Sequence, residues 1–481
     1  MTRLLTLALF VIAAHAAAQA QDDPAADMRR WLDGQRDDFR QYVSEQDRAF
    51  AAFLGQAWRE FEVSAGRVRD AEPKPDDAPH APPVKPAPTV PPADAPPLPA
   101  LPERDTPPPR PAPAPDAATI TVDFLGLDWP LPAPRSLGDL PRRPAGPDAA
   151  ADAWLALSGA DTAPLLGALD QLADQRRLGD WGRFLLLEAV ADRFYPADAS
   201  RRALLHWHLA VRAGLDVRLA HARPGFVVMW ASDRAVFQIE FLVRDRTAYY
   251  LHDPDGRFAR VDALSSYDGQ PPATVAPLTF DFRQLPETGP APVQRTLEWT
   301  AGGQPRQAVV ALDRELVAFQ ATIPQVGLES HFAAPVSAPV LAALADALHD
   351  DLAARDQNGR VALLLHVVQT ALVYSTDQDQ FGYEDYLYPD ETLFHPACDC
   401  EDRAVLFAAL VRDLLGLDVV GLDYPGHIAA AVAMPGEPPG DNFRWRGAVF
   451  TVCDPTYIGA GPGRSMPLPA SGGPGVIDTR G

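Results

Sequence analysis

The sequence predicts an α+β fold, and three observations carry this prediction. In the region 118–278, helical patterns of apolar residues run directly into strand-like segments. The same order returns in the region 338–481. Between them, residues 279–337 contain alternating or continuous apolar segments separated by Gly and Pro, a pattern that is typical of strands. Helices that feed strands in this way are characteristic of the α+β class.

The chain opens with a predicted signal peptide over residues 1–20. Arg3 precedes the apolar run LLTLALFVIAA, which has the length of a signal-peptide core and is too short to span a bilayer. Small residues follow, and cleavage is expected after Ala20. The sequence therefore predicts a secreted and specifically periplasmic protein, and no later segment is apolar enough to be transmembrane.

Residues 21–70 predict a long amphipathic helix. Aromatic and aliphatic residues from Trp31 to Phe61 recur mostly at steps of three or four residues between charged ones. A lone helix cannot bury such a face. It must dock on the globular part, self-associate or hold an envelope partner, and the sequence leaves these alternatives open.

Residues 71–117 form a predicted Pro-rich linker. The stretch from Pro73 to Pro115 contains 19 of the 51 prolines of the chain, mixed with Ala and Asp. This composition favours an extended, semi-rigid spacer without a core of its own.

The sequence predicts individual helices and strands within the globular regions. The segments APLLGALDQLADQ, WGRFLLLEAVADRFY, APVLAALADALHDDLAA and RVALLLHVVQTALVY predict helices. ITVDFLGL predicts a strand near residue 119, and the connecting segment 279–337 predicts further strands in TFDF, RTLEW, QAVVALD and LVAFQATI.

The net charge of −22 argues against nucleic acid as a ligand, because binding the phosphate backbone depends on Lys and Arg. Three cysteines are too few for a small disulfide-rich scaffold. Their odd number leaves at least one thiol unpaired within an exported chain. A catalytic thiol is compatible with that count.

Two segments of the chain align with each other. The first, SRRALLHWHLAVRAGLDVRLAHARPGFVVMW followed by AYYLHDPDG, matches CDCEDRAVLFAALVRDLLGLDVVGLDYPGHIAAAVAM followed by FTVCDPTY. Anchoring the Pro-Gly and Asp-Pro pairs places Cys400 on Ser200 and His427 on Phe226. The second copy therefore predicts a working cysteine site, and the first copy a degenerate one.

The second copy contains a predicted Cys-His-Asp triad. Cys400 opens a helical pattern, where the positive end of the helix dipole favours a thiolate. His427 follows it by 27 residues at the start of a predicted strand, and Asp454 follows by 27 more at the end of another. Such an aspartate can orient the imidazole that serves the thiol.

A loop insertion precedes the cysteine in the second copy only. It is expected to be either a wall or lid of the cleft or a solvated surface insertion. Its acidic residues predict an acidic rim that tolerates cationic groups such as lysine-bearing peptides; they are Asp377, Asp379, Glu384, Asp385, Asp390 and Glu391.

These motifs resemble the transglutaminase-like superfamily of papain-like cysteine enzymes. The resemblance covers roughly residues 338–457, with a degenerate echo over 163–255, and departs from the common pattern in having Ile428 after the histidine. It implies two transglutaminase-like halves, with Cys400 as nucleophile, His427 as general base and acid, and Asp454 as the orienting carboxylate. Gln369 and Tyr374 are the candidate oxyanion donors.

The remaining cysteines allow more than one arrangement. Cys398 lies two residues before Cys400, and Cys453 directly precedes Asp454, so a Cys398–Cys453 disulfide could pin the site in an oxidising compartment. A Cys398–Cys400 pair would instead inactivate it. The cysteine spacing matches no common zinc pattern, and the sequence predicts no metal and no cofactor.

The sequence thus predicts an exported cysteine enzyme, a peptidase, amidase or acyl transferase acting on amide bonds of a protein or peptide substrate through a thioester. The alternative is a non-catalytic envelope scaffold that uses both copies as binding modules.

Overall fold

A computed structural model describes residues 41, 43–68, 74, 77–82, 117–259, 261–436, 439–467 and 473–479. The predicted signal peptide, the start of the predicted helix 21–70 and most of the Pro-rich linker lie outside these ranges. Within them, helices and largely antiparallel sheets confirm the α+β class. No described helix combines the length and the apolar character needed to cross a membrane.

The first part of the chain contains five helices and eight strands within the described residues. The helices are α1 (43–54), α2 (Pro147–Ser158), α3 (Ala163–Gln175), α4 (Gly179–Phe194) and α5 (Ala199–Arg212). The strands are β1 (Arg59–Glu62), β2 (Ala117–Phe124), β3 (Leu127–Pro134), β4 (Val217–Ala222), β5 (Gly225–Ala231), β6 (Phe241–Arg244), β7 (Thr247–His252) and β8 (Ala263–Ser266).

These strands build one large sheet and one hairpin. The sheet has the order β1-β8-β4-β5-β7-β6, and β2 pairs with β3. Helices α2 to α5 share an apolar core with one side of the sheet, centred on the fully buried Trp154, Trp207 and Trp230. Burial of such large aromatic side chains contributes much of the stability of this part.

The predicted helix 21–70 is corrected by the structure. Helix α1 ends at Leu54, and Arg59–Glu62 form the edge strand β1, paired antiparallel with Ala263–Ser266. Phe50 and Leu54 are buried in the core of the first part. The described part of the predicted amphipathic helix therefore docks on the globular body, and its apolar face is buried there.

The connecting segment 279–337 is only partly made of strands, contrary to the prediction. It contains the hairpin of β9 (Pro292–Ala301) and β10 (Gln304–Asp313), but LVAFQ belongs to α6 (Arg314–Gln320), and α7 (Leu328–Ala333) follows. TFDF is not in a strand. The side chain of Asp313 accepts a hydrogen bond from Glu315 N at 2.9 Å and caps α6, so the short apolar run continues as a helix.

The second part of the chain begins with helices and ends with a sheet. Its helices are α8 (Ala338–Ala353), α9 (Gln357–Ala371), α10 (Asp377–Gln380), α11 (Pro389–Phe394) and α12 (Cys400–Leu415). Its strands are β11 (Val373–Tyr374), β12 (Ala397–Cys398), β13 (Val419–Tyr424), β14 (His427–Val432), β15 (Asn442–Trp445), β16 (Ala448–Cys453) and β17 (Gly475–Asp478).

The second sheet has the order β15-β16-β14-β13-β17, and α12 packs on it. Helix α12 is buried along nearly its whole length, from Cys400 to Leu415. The four helices predicted from sequence correspond to α3, α4, α8 and α9, and β2 and the strands on either side of His427 are also confirmed. Helix α12 packs against β13 and β14, the hairpin whose second strand begins with His427.

Candidate active site

His427 and Asp454 form a buried hydrogen-bonded pair. Strand β16 ends at Cys453, so Asp454 is the first residue after it, while His427 is the first residue of the neighbouring strand β14. His427 Nε2 lies 2.9 Å from Asp454 Oδ2, and the two side chains are 1% and 0% exposed. The carboxylate accepts, so Nε2 carries the proton and Nδ1 is left with a lone pair.

The Asp454 carboxylate is held in place by backbone donors. Its Oδ1 accepts from Thr456 N at 3.0 Å and from Tyr457 N at 3.1 Å, and Met466 N approaches Oδ2 at 3.3 Å. These bonds fix the carboxylate independently of the histidine. His427 Nδ1, in contrast, is buried and has no hydrogen-bond partner.

Cys400 lies at the start of α12 but does not bond to His427. Its Sγ donates to Glu401 Oε2 at 3.0 Å, and the side chain is fully buried. Burial raises the pKa of the Cys400 thiol well above its usual value, and the Glu401 and Asp399 carboxyls add to that rise. The expectation of a thiolate produced by the helix dipole is therefore wrong for this conformation.

A buried acidic cluster surrounds the thiol. Asp399 is the N-cap of α12, and Glu401 and Asp402 occupy its first turn, with Asp377 close by. Burial raises the pKa of Glu401 and of Asp399, and neighbouring carboxyls raise both further. The Lys74 ammonium, which contacts Asp399 and Glu401, opposes this rise in both pKa values.

Lys74 is a functional residue that sequence reasoning missed. It comes from the Pro-rich linker, yet its Nζ lies 2.7 Å from Glu384 Oε1 and 2.8 Å from Asp399 Oδ2, and it also pairs with Glu401. Burial alone lowers the pKa of the Lys74 ammonium, but the carboxylates of Glu401 and Asp399 outweigh burial and raise it. One signal was available, since Lys74 and Lys85 are the only lysines in the sequence.

The acidic insertion is largely buried, which corrects the prediction of an acidic rim. Asp377, Asp390 and Glu391 are all less than 4% exposed. Asp390 accepts from Ser337 N, and Glu391 accepts from Tyr388 N, each at 2.9 Å. Asp390 thus ties the insertion to the start of α8, Glu391 caps α11 within the insertion, and Glu384 contacts the Lys74 ammonium.

Gln369 has a structural role and is no longer a candidate oxyanion donor. Its Nε2 lies about 3.0 Å from three carbonyl oxygens, those of Asp454, Tyr457 and Ala460, and its Oε1 accepts from Gly459 N. The amide is thus committed to the loop that follows Asp454, with no N–H left for a substrate. It therefore holds the loop that follows Asp454.

Tyr374 remains near the cysteine. It lies on β11, which pairs in parallel with β12 so that Tyr374 is opposite Cys398. Burial raises the pKa of the Tyr374 hydroxyl, and the nearby Cys400 and Asp399 raise it further, so this hydroxyl stays protonated and able to donate.

All three cysteines of the chain are described, and all three are free thiols. Cys398 Sγ lies 3.7 Å from Val373 O, and Cys453 Sγ lies 3.7 Å from Thr451 O. Neither the Cys398–Cys453 nor the Cys398–Cys400 disulfide is formed. Burial raises the pKa of Cys398 to about 12, which makes it a poor nucleophile.

The helix starts shift the alignment of the two segments by one residue. Helices α5 and α12 both begin directly after an aspartate N-cap, Asp198 and Asp399, so their first residues are Ala199 and Cys400. Ser200 is nevertheless the residue whose side chain reaches the hairpin, with its Oγ 3.4 Å from Phe226 N. Neither Ala199 nor Ser200 carries a thiol.

The hairpin turns give the same one-residue correction. In β4–β5, Ala222 pairs with Gly225, and in β13–β14, Tyr424 pairs with His427. Gly225, not Phe226, therefore stands at the position of the histidine. A Cβ at Gly225 would lie 2.3 Å from Ser200 Oγ, so no side chain fits there without displacement.

A cleft of about 470 Å³ lies in the first part, beside Ser200 and Phe226.

No family model, curated protein or solved structure matches the chain.

Proposed function

We propose that this protein is a cysteine enzyme that cleaves or transfers the acyl group of amide bonds in a protein or peptide substrate, with Cys400, His427 and Asp454 as the catalytic triad. The observation that carries the proposal is the His427 Nε2–Asp454 Oδ2 contact of 2.9 Å, combined with a buried His427 Nδ1 that has no partner. A buried imidazole nitrogen with a free lone pair suits a proton acceptor for a thiol.

In the proposed reaction, His427 Nδ1 accepts the proton of the Cys400 thiol, and the sulfur attacks the carbonyl carbon of the amide. A C–S bond forms, the C–N bond breaks, and His427 gives its proton to the leaving amine. Water or an amine then attacks the thioester, with His427 accepting the proton of the attacking group, and the thiol is restored. Asp454 holds the imidazole orientation and stabilises its protonated form.

The thiol must change its hydrogen bond before it can react. In the described conformation Sγ donates to Glu401, and catalysis requires it to donate to His427 Nδ1 instead. The backbone amides at the start of α12 and the Tyr374 hydroxyl are the candidate donors to the developing oxyanion. This conformation corresponds to a resting form under our proposal.

We extend the proposal to two transglutaminase-like halves and to an exported, periplasmic protein. The order of helix, hairpin and strand in α5, β4, β5 and β7 is the same as in α12, β13, β14 and β16. In the first half Gly225 stands in place of the base, and neither Ala199 nor Ser200 carries a thiol, so that half has no catalytic role under this proposal.

A second candidate function is a non-catalytic scaffold. One observation favours it, because a fully buried thiol with a raised pKa is unreactive as it stands. The scaffold requires no proton transfer between Cys400 and His427.

The test is covalent labelling with a peptide vinyl sulfone, read by mass spectrometry of the digested protein. We expect an adduct on Cys400 that is absent in Cys400→Ser and slowed by about 100-fold or more in His427→Ala, the scale of general-base assistance. His395→Ala is the matched control and should label like wild type. Equal labelling of His427→Ala and wild type would favour the scaffold.

A further inference from the structure

Three side chains in the first part of the chain converge in a way the cysteine chemistry does not use. Glu188 lies on α4, His206 on α5, and His252 ends β7. One ligand atom from each lies within 4.8 Å of the other two. The three residues are far apart along the chain, and only the fold brings them together.

The geometry points to a divalent transition-metal site, and we propose that Glu188, His206 and His252 bind Zn²⁺. Two imidazoles and one carboxylate are a frequent zinc ligand set in enzymes, with a fourth position left for water. The proposal is independent of the cysteine site and goes beyond the proposed function.

The spacing of the side chains suits one shared ion. Glu188 Oε2 and His252 Nε2 form a hydrogen bond of 2.7 Å, which a shared ion would replace. The rings of His206 and His252 have centroids 5.8 Å apart, with planes at 78°. With Zn–N distances of about 2.0–2.1 Å, two imidazoles on one ion bring their centroids roughly 5–6 Å apart.

An outer hydrogen bond orients one of these ligands. His206 Nε2 lies 3.1 Å from the Phe184 carbonyl oxygen, which can only accept, so Nε2 must donate and the other ring nitrogen keeps its lone pair. Metal-binding histidines commonly donate their second nitrogen to a backbone carbonyl in this way. The bond therefore selects the tautomer that a metal requires.

The three residues also line a cavity of about 30 Å³. A cavity needs only about 10–15 Å³ to hold a water molecule, so there is room for a fourth ligand. Arg202 lies close by, but it pairs with Asp192 and Asp255 and so has carboxylates of its own. Its charge is balanced locally.

The test uses the full-length protein and zinc itself. After incubation with excess Zn²⁺ and desalting, we expect stoichiometric zinc by elemental analysis in wild type and at least about a tenfold weaker affinity in His252→Gln and Glu188→Gln, as for loss of a metal ligand. His349→Gln changes an exposed histidine and should bind like wild type. Co²⁺ loading should give a visible absorption spectrum without thiolate charge-transfer bands.

A folding readout keeps the metal proposal testable if a variant is unstable. Zinc should raise the melting temperature of wild type and of His349→Gln, and should not raise that of His252→Gln, because only a protein that binds the ion is stabilised by it. Substoichiometric zinc in wild type, or equal zinc in His252→Gln, would overturn the proposal.

A second inference rests on the linker. Lys74 is anchored to Glu384, Asp399 and Glu401 beside Cys400. Residues 77–82 are anchored to the loop after Asp454: Ile458 N donates to Pro79 O at 2.9 Å, and Ala81 N donates to Ile458 O at 2.8 Å. We call Lys74 and residues 77–82 the latch.

We propose that the latch is an intramolecular cover that closes the cysteine site. Its anchors lie on two of the three structural elements that supply the triad, the start of α12 and the loop after β16. Lys74 is one of only two lysines in a chain with 64 acidic residues, and its side chain is only 13% exposed.

The latch test measures access to Cys400 with a neutral thiol reagent and mass spectrometric site assignment. Lys74→Met removes the charged anchor, and Ala81→Pro removes the donor to Ile458 O without changing charge. We expect both to speed Cys400 labelling by about fivefold or more over wild type, since local opening controls reaction of a buried group. Lys85→Met is the matched control.

The two latch variants distinguish the loss of the cover from the loss of the Lys74 charge. Loss of Lys74 also removes a positive charge that opposes the rise in the Cys400 pKa, which by itself slows labelling. Ala81→Pro leaves that charge in place. Wild-type rates in both variants would overturn the latch, whereas faster labelling with no effect of His427→Ala would retain the latch and reject the catalytic triad.

Discussion

The His427 imidazole has one nitrogen fixed by a carboxylate and one nitrogen unused: Nε2 bonds to Asp454 Oδ2 at 2.9 Å, and Nδ1 is buried without a partner. An unsatisfied buried nitrogen costs free energy of about 1–3 kcal/mol, so the second half of this arrangement does not stabilise the fold. Under our proposal, its partner is the Cys400 thiol, which binds it only during the reaction.

Asp454→Asn is predicted to impair reactivity without unfolding the protein. The asparagine oxygen can still accept from Thr456 N and Tyr457 N, but the amide no longer stabilises a protonated imidazole. We expect vinyl sulfone labelling of Cys400 to slow by about 100-fold or more, as for the orienting carboxylate of other triads. Asp441→Asn, which loses only bonds to Ser465, is the control; equal rates in both variants would contradict the role of Asp454.

Glu401→Gln is predicted to lower the pKa of the Cys400 thiol. Burial raises that pKa first, but the Glu401 carboxylate is the next contribution, and glutamine removes its charge. In a Lys74→Met background, which separates the effect from the latch, the pH midpoint of Cys400 alkylation should fall by about one unit or more. An unchanged midpoint would show that Glu401 does not control the thiol.

Gln369→Ala is predicted to destabilise the fold. The buried amide bonds to the carbonyls of Asp454, Tyr457 and Ala460, and the change removes all three hydrogen bonds. We expect a loss of about 2–4 kcal/mol in the free energy of unfolding by urea denaturation. Thr370→Ala, at the adjacent exposed residue, should lower the free energy of unfolding much less. Similar losses in the two variants would show that the Gln369 hydrogen bonds do not stabilise the fold.

Glu391 is predicted to make stability depend on pH. Burial raises the pKa of its carboxyl to about 8, from 4.5 in an unfolded chain. The folded state therefore holds the proton more tightly, so the contribution of Glu391 is fully present below about pH 4.5 and is lost as the pH rises towards 8.

The corresponding measurement is the free energy of unfolding between pH 5 and pH 8. Glu391→Gln, which stays neutral, should flatten the decline seen in wild type, while the exposed Glu298→Gln should leave it unchanged. If the free energy of unfolding of Glu391→Gln declines with pH as steeply as that of wild type, the Glu391 carboxyl is ionised in the folded protein.

The sequence predicted the triad elements well because each carries a local signal. The apolar periodicity from Ala404 to Leu414 marks α12, and an aspartate directly after a strand marks Asp454. LVAFQ was misassigned as a strand because a short apolar run has no decisive period, and the Asp313 cap decided it.

Other parts of the site depend on contacts distant in sequence. No local pattern indicates that Lys74 pairs with Glu401, or that Gln369 bonds to the loop after Asp454. The degenerate copy was misaligned by one residue because the hairpin turn occupies Arg223-Pro224 in one copy and Pro425-Gly426 in the other, a shift that sequence similarity conceals.

The central claim is that His427 activates Cys400, and the most direct test is the alkylation rate of Cys400 across pH in Lys74→Met, with and without His427→Ala. The account predicts that His427→Ala lowers the rate near neutral pH by about 100-fold and leaves the rate at high pH, where the thiol ionises unaided, nearly unchanged. Superimposable profiles for the two proteins would contradict the triad, because the thiol would then react without help from the imidazole.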